Sequence, residues 1–131
     1  MKRWIGRILI GIVFFFNIQC ALYFIINPAQ FAPGFELQGI PGIAAVQALG
    51  LLFLMWNVPY VVALWDPWRH RLSLYEAVAM QTIGLVGETT IFWSLPGIHQ
   101  VARGSLLRFI WFDGGGLVAL LLATWITRRK V

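Results

Sequence analysis

Two carboxylates stand inside stretches that are otherwise apolar: Glu88 in Leu85-Val86-Gly87-Glu88-Thr89 and Asp113 in Ile110-Trp111-Phe112-Asp113-Gly114. Acids in such surroundings have a short list of uses. They hold a proton, an ion or a cationic ligand, or they pair with polar groups from neighbouring helices, because an isolated charge at membrane depth is costly. Asn17, Gln19, Gln47, Asn57 and Gln81 are embedded in the same way, with Glu76 near the end of a run. If the two acids face each other in a low dielectric, they cannot both stay charged without a cation or strong donors, so they are expected to share a proton. Arg108 and His99 are placed to neutralise them in part.

The elements that must position these residues follow from composition. Of 131 residues, 60% are hydrophobic and only 11% are charged. A soluble domain carries roughly a quarter charged residues, so a water-soluble enzyme, a disordered tail and a nucleic-acid module are excluded. The net charge of +5 does not restore the last of these, because the basic residues sit in the gaps between apolar runs instead of forming a face. Cys20 is the single cysteine, which excludes an intramolecular disulfide and Cys-x-x-Cys chemistry and reads as a small buried apolar residue. No metal site and no cofactor is predicted.

Four runs are long enough to cross about 30 Å of hydrocarbon as helices. They are Ile5 to Ile26, Gly42 to Trp65, Leu74 to Leu95 and Leu106 to Ile126. Asn27-Pro28, Pro33-Gly34, Asp66-Pro67 and Pro96-Gly97 punctuate the gaps. The first run is too long for the apolar core of a secretory signal and is kept as a span. The predicted fold is therefore an all-α integral membrane protein, a single domain built as a four transmembrane helix bundle. Lys2, Arg3, Arg7, Arg69, Arg71, Arg128, Arg129 and Lys130 share one side, against Arg103 and Arg108 on the other. That asymmetry predicts both termini in the cytoplasm, in a bacterial inner (plasma) membrane. Trp4, Trp65, Trp68, Trp93 and Trp125 fall near span ends, where indoles favour the headgroup zone.

Depth then sorts the polar residues. At about 1.5 Å per residue, Glu88 and Asp113 lie roughly 10 Å below the outer ends of the third and fourth spans, and Asn17, Gln19 and Gln47 roughly 8 to 14 Å below the same surface. One layer drawn from all four helices results. Ala77, Gln81, Gly84 and Glu88 follow helical spacing on one face, so Glu88 is expected to face the bundle. Gly84, Gly87 and Gly114-Gly115-Gly116 would let the third and fourth spans approach closely, making Glu88 and Asp113 neighbours. The three-glycine run lacks the Lys and Ser/Thr of a phosphate loop and reads as close packing or a local unwinding. In Asn57-Val58-Pro59, Pro59 frees the Met55 carbonyl, and Asn57 is expected to cap a kink. His70 and His99 fall on opposite sides, which excludes paired haem ligation. The loop from Asn27 to Pro41, with Phe31 and Phe35, is either a plain connection or a lid over the polar layer.

Arg3 and Arg7, Gly11-Ile12-Val13-Phe14-Phe15, Asn27-Pro28 with Phe31, and Gly39-Ile40-Pro41-Gly42 resemble the first half of the DoxX-like small membrane proteins. The resemblance covers about the first 65 residues and implies a four-helix fold. Where that family often has a lysine before the proline and a glutamate in the second span, this chain has Phe24 and Gln47.

Three functions remain. The first is an outward-facing pocket for a lipophilic or cationic small ligand, lined by Glu88, Asp113, Asn17, Gln19, Gln47, Gln81, Arg108 and His99, or an accessory role in a larger membrane complex. The second is a membrane enzyme using one carboxylate as acid or base on a lipid-soluble substrate. The third is a proton- or ion-coupled transporter. Expected partners are the lipid bilayer, a lipophilic small molecule, and a second copy or a larger assembly; nucleic acid is not among them.

Overall fold

The structure, a computed structural model, describes residues 1–128. Arg129 and Lys130, counted in the charge asymmetry, lie outside the described residues. The elements are α1 (Lys2–Ile26), α2 (Pro28–Phe31), a 3-10 turn (Ala32–Phe35), α3 (Gly39–Trp65), α4 (Arg71–Ser94) and α5 (Gln100–Ile126). The all-α expectation holds, with no strand among the described residues. Helices α1, α3 and α5 are long and apolar enough to cross a membrane, the signature of a membrane protein. Helix α4 has the length but not the apolarity, since Glu76, Gln81, Thr82, Glu88, Thr89 and Thr90 interrupt it.

Each long helix starts before its apolar run, because polar first turns wind as readily as apolar ones. Pro41 fits near the start of α3, where its missing N–H had no helical acceptor to serve. Around the bundle the long helices follow chain order: α1 packs on α3, α3 on α4, α4 on α5, and α5 closes back on α1. Small residues on α3 let it approach α1 closely. Gly42, Val46 and Gly50 form one buried stripe on α3, and a Cβ on Gly50 would stand 2.8 Å from the Ala21 carbonyl oxygen of α1.

Two packed clusters divide the interior. Near the end that carries the N-terminus, Ile10, Val13, Tyr60, Ala63, Leu74, Ala77, Leu120 and Ala123 bury one another. Toward the other end, Phe24, Ala32 and Val46 pack with Phe31, Phe35, Phe53 and Phe109. The outer faces remain apolar, with Phe15, Trp93, Trp111 and Trp125 all more than half exposed, as helices in contact with lipid require.

The segment between α1 and α3 folds back as a cap. Phe31 and Phe35 sit 5.1 and 5.8 Å from Phe24 between ring centroids, and Phe35 stacks on Phe109 at 6.0 Å. The Ser105 hydroxyl donates to the Gly34 carbonyl at 2.5 Å, tying the cap to α5. Glu36 ends the 3-10 turn in the left-handed region (φ 58). Its carboxylate reaches His99 Nδ1 at 2.5 Å.

The hydrogen bond with His99 is the main reason the Glu36 carboxyl is held below its usual range; the His99 charge and the N–H groups of Ala102 and Val101 reinforce it against the opposing effect of burial. A lowered folded-state value means the contact favours the cap above the ordinary carboxyl range, about pH 4.3, and that this contribution is lost as pH falls through the folded value. Hydrogen exchange at residues 34–37, corrected for intrinsic rates, should therefore show protection falling as pH drops below the ordinary carboxyl range. Glu36→Gln should lower protection at neutral pH and remove the acid step. An unchanged acid step in that variant would show that another group opens the cap.

At the opposite end Arg3 pairs with Asp66, which also accepts from the backbone N–H of Trp68 and Arg69. Arg71 donates to the Thr127 carbonyl at 2.9 Å.

Candidate functional site

Between the two packed clusters lies a cavity of about 200 Å³. All four long helices line it: Asn17 and Cys20 from α1; Phe53, Trp56, Asn57 and Tyr60 from α3; Met80, Gln81 and Glu88 from α4; Arg108, Phe109, Phe112 and Asp113 from α5. Phe53 and Phe109 belong both to the cavity wall and to the aromatic cluster beneath the cap. They stand between the cavity and the cap end.

A buried polar chain crosses one side of this space. The Tyr60 hydroxyl donates to Gln81 Oε1 at 2.5 Å, and Gln81 Nε2 donates to Asp113 Oδ1 at 3.1 Å. Asn17 approaches the Tyr60 hydroxyl from α1. The carboxyls of Asp113 and Glu88 are neighbours, joining α5 to α4. Glycines make this exchange possible in a reciprocal way. A Cβ on Gly84 would meet Asp113 Oδ2 at 2.6 Å, and one on Gly116 would meet Gln81 Nε2 at 2.6 Å. Each polar side chain thus lies over a glycine of the facing antiparallel helix, where no side chain competes for the space.

Satisfaction of the polar atoms is incomplete. Glu88 Oε2 and Asn57 Oδ1 are buried with no hydrogen-bond partner among the described residues. Both are acceptors. Neither Glu88 nor Asp113 forms an ion pair among the described residues, since Arg108 donates to Ser105 Oγ at 3.1 Å instead. Glu88, Asp113 and Asn57 therefore line the cavity among aromatic rings, with Glu88 Oε2 and Asn57 Oδ1 themselves packed away from water-sized contact.

No protein-family model, no curated protein and no solved structure matches this chain.

Of the eight side chains expected at the site, five line the cavity: Asn17, Gln81, Glu88, Arg108 and Asp113. Three do not. Gln19 is two residues from Asn17, about 200° around the helix, and lines a shallow groove between α1 and α5 instead. Gln47 is exposed and donates to the Ile25 carbonyl at 3.3 Å. His99 is held in the cap by Glu36, and Arg108 reaches Ser105, so neither neutralises the acids. The expected role of Asn57 is also corrected. Its amide donates to the Phe53 carbonyl at 2.6 Å, not to that of Met55, and its oxygen is buried without a partner. Tyr60 and Trp56 were missed because aromatic residues in an apolar run look like core. Their signal was the spacing Phe53, Trp56, Asn57, Tyr60, which is one helical face around an amide. Gly87 and Gly115 have open space beside them, and α5 runs unbroken through Gly114-Gly115-Gly116.

Gly84 offers a test that alters no ionisable group. Gly84→Ala should push the Asp113 carboxylate off its seat and break its bond with Gln81, at a smaller cost in stability than a clash with backbone, because a side-chain tip can turn aside. Thermal unfolding in detergent measures the first effect, and the Gln81 side-chain amide resonances the second. Wild-type resonances in the variant would show that the glycine is not what seats Asp113.

Proposed function

We propose that the chain is a four-span bundle of the bacterial inner membrane, both termini cytoplasmic, that binds a small lipophilic amine in its protonated form. The observation that carries this reading is that two residues lining an aromatic-walled cavity, Glu88 and Asn57, each bury an acceptor oxygen without a donor. Buried polar groups are normally paired, and a primary ammonium supplies three donors and the missing positive charge together. Trp56 and Tyr60 add ring faces to which a cation is drawn. Size limits the ligand: an apolar cavity of about 150 Å³ holds benzene, so about 200 Å³ admits a single ring bearing an aminomethyl group.

For α4, the span assignment is supported by its place between α3 and α5 and by its exposed Ile83 and Val86. The cytoplasmic placement is supported by Arg3, Arg7, Arg69, Arg71 and Arg128 around one end.

Among the other readings, transport needs a polar path through the membrane, whereas Ile10, Leu74 and Leu120 fill the bundle below the cavity with no exposure. Acid/base catalysis would rest on Glu88 and Asp113 alone. Binding asks least of the geometry. The test compares benzylammonium with its trimethylammonium analogue, which has the same ring and charge but no N–H. Benzylammonium should raise the melting temperature in nanodiscs, and the quaternary analogue should do so much less. Equal stabilisation by both would remove the role given to the unpaired acceptors.

A further inference from the structure

Cys20 and Phe112 line the cavity on one side and a second concavity on the other. That second space is a groove of about 300 Å³ on the outer surface between α1 and α5, walled also by Phe16, Gln19, Tyr23, Phe24 and Phe31. Phe24 is buried and forms its floor, while Phe16 and Tyr23, 46% and 52% exposed, form its rims. Phe112 of α5 meets Phe16 of α1 edge to face at 5.8 Å beside this wall. No charged side chain lines the groove. Along the bundle axis the cavity is bounded by packed clusters on both sides, so its approach to the lipid runs sideways between helices.

We infer that the ligand is a single-tailed cationic amphiphile, an alkyl-substituted primary ammonium whose head lies against Glu88 and Asn57 and whose tail passes Cys20 and Phe112 into the α1/α5 groove. This rests on the amine-binding reading. Charge complementarity places the head, since the two carboxyl-bearing residues, Glu88 and Asp113, line the cavity, whereas the polar side chains of the groove, Gln19 and Tyr23, are neutral. Adjacency places the tail, because the two spaces share Cys20 and Phe112 as walls and aromatic rings make up most of the groove, beside the Gln19 amide. A hydrocarbon tail gains little from leaving lipid for such a groove. The amphiphile is therefore held by its head, and the position of its tail is the property that distinguishes this route.

The experiment uses octylammonium with a diazirine on its terminal carbon, photolysed with the full chain in nanodiscs and mapped by mass spectrometry. Phe16, Tyr23 and Phe31 should carry the adducts, and unlabelled octylammonium should compete them away. In Glu88→Gln those adducts should fall about tenfold or more, the equivalent of at least about 1.4 kcal/mol. In parallel, short benzylammonium should slow alkylation of Cys20 by a membrane-permeant maleimide, with melting temperature as a readout that does not use the cysteine. Adducts on the α3 or α4 faces, or spread over all lipid-facing helices regardless of Glu88, would overturn the groove assignment while protection by the short amine kept the amine reading. Absence of both Glu88-dependent adducts and any effect of the short amine would overturn both.

Discussion

Glu88→Gln is expected to weaken binding of benzylammonium by about 2 to 5 kcal/mol, roughly thirtyfold or more, the cost of removing one partner of a desolvated, hydrogen-bonded charge pair. The amide keeps the size and one acceptor of the acid, so the cavity stays the same shape. What it loses is the charge, and with it the reason for a cation to leave water or the headgroup layer. Asp113→Asn should act in the same direction but less strongly, because Asp113 Oδ1 already accepts from Gln81 whereas Glu88 Oε2 has no partner. Arg108→Ala should have the opposite sign, strengthening binding severalfold by removing a like charge from the wall. Calorimetric titration in nanodiscs measures all three. Equal affinities across the set would mean the acids serve the bundle alone.

The largest effect on folding is expected at Gly50. Its Cβ position is crowded by the Ala21 carbonyl oxygen at 2.8 Å, Ile25 Cγ1 at 2.8 Å and Phe24 Cβ at 2.9 Å. Backbone cannot rotate aside as a side-chain tip can, so Gly50→Ala must move α1 from α3. A loss of about 1 to 3 kcal/mol follows from overpacking of this kind, and Gly50→Leu should exceed it. Reversible unfolding in mixed detergent micelles measures the loss. The cavity lies between the same helices, so the leucine variant should also lose amine binding, unlike a stabilised control. Wild-type stability in Gly50→Leu would show that the close approach of α1 and α3 is not needed.

Much of the architecture was legible because its determinants are local. Apolar runs and Pro/Gly punctuation gave the four long helices to within a few residues, and periodicity on α4 correctly turned Gln81 and Glu88 inward. The errors have physical causes. Gln19 and Gln47 were grouped by depth, but depth fixes only height, and angle around the helix decides which way a side chain points. His99 was assigned to the acids because it lies on their side of the bundle; its actual partner, Glu36, depends on a left-handed residue in the cap that no periodicity reveals. Gly42, Val46 and Gly50 carried a readable small-residue spacing on α3 that was passed over in favour of the glycines near the acids. Packing order around the bundle was not legible, since apolar faces touch lipid and helix alike.

The most direct test of an amine site is a lipidic-phase crystal structure with 4-bromobenzylammonium, read from the anomalous signal of the bromine. The bromine is expected among Phe53, Trp56 and Phe109, with the ammonium nitrogen within hydrogen-bond reach of Glu88 Oε2 and Asn57 Oδ1. A cavity without bromine, with the Arg108 guanidinium turned in to pair both carboxyls, would contradict an amine site and make the acids a structural cross-link between α4 and α5.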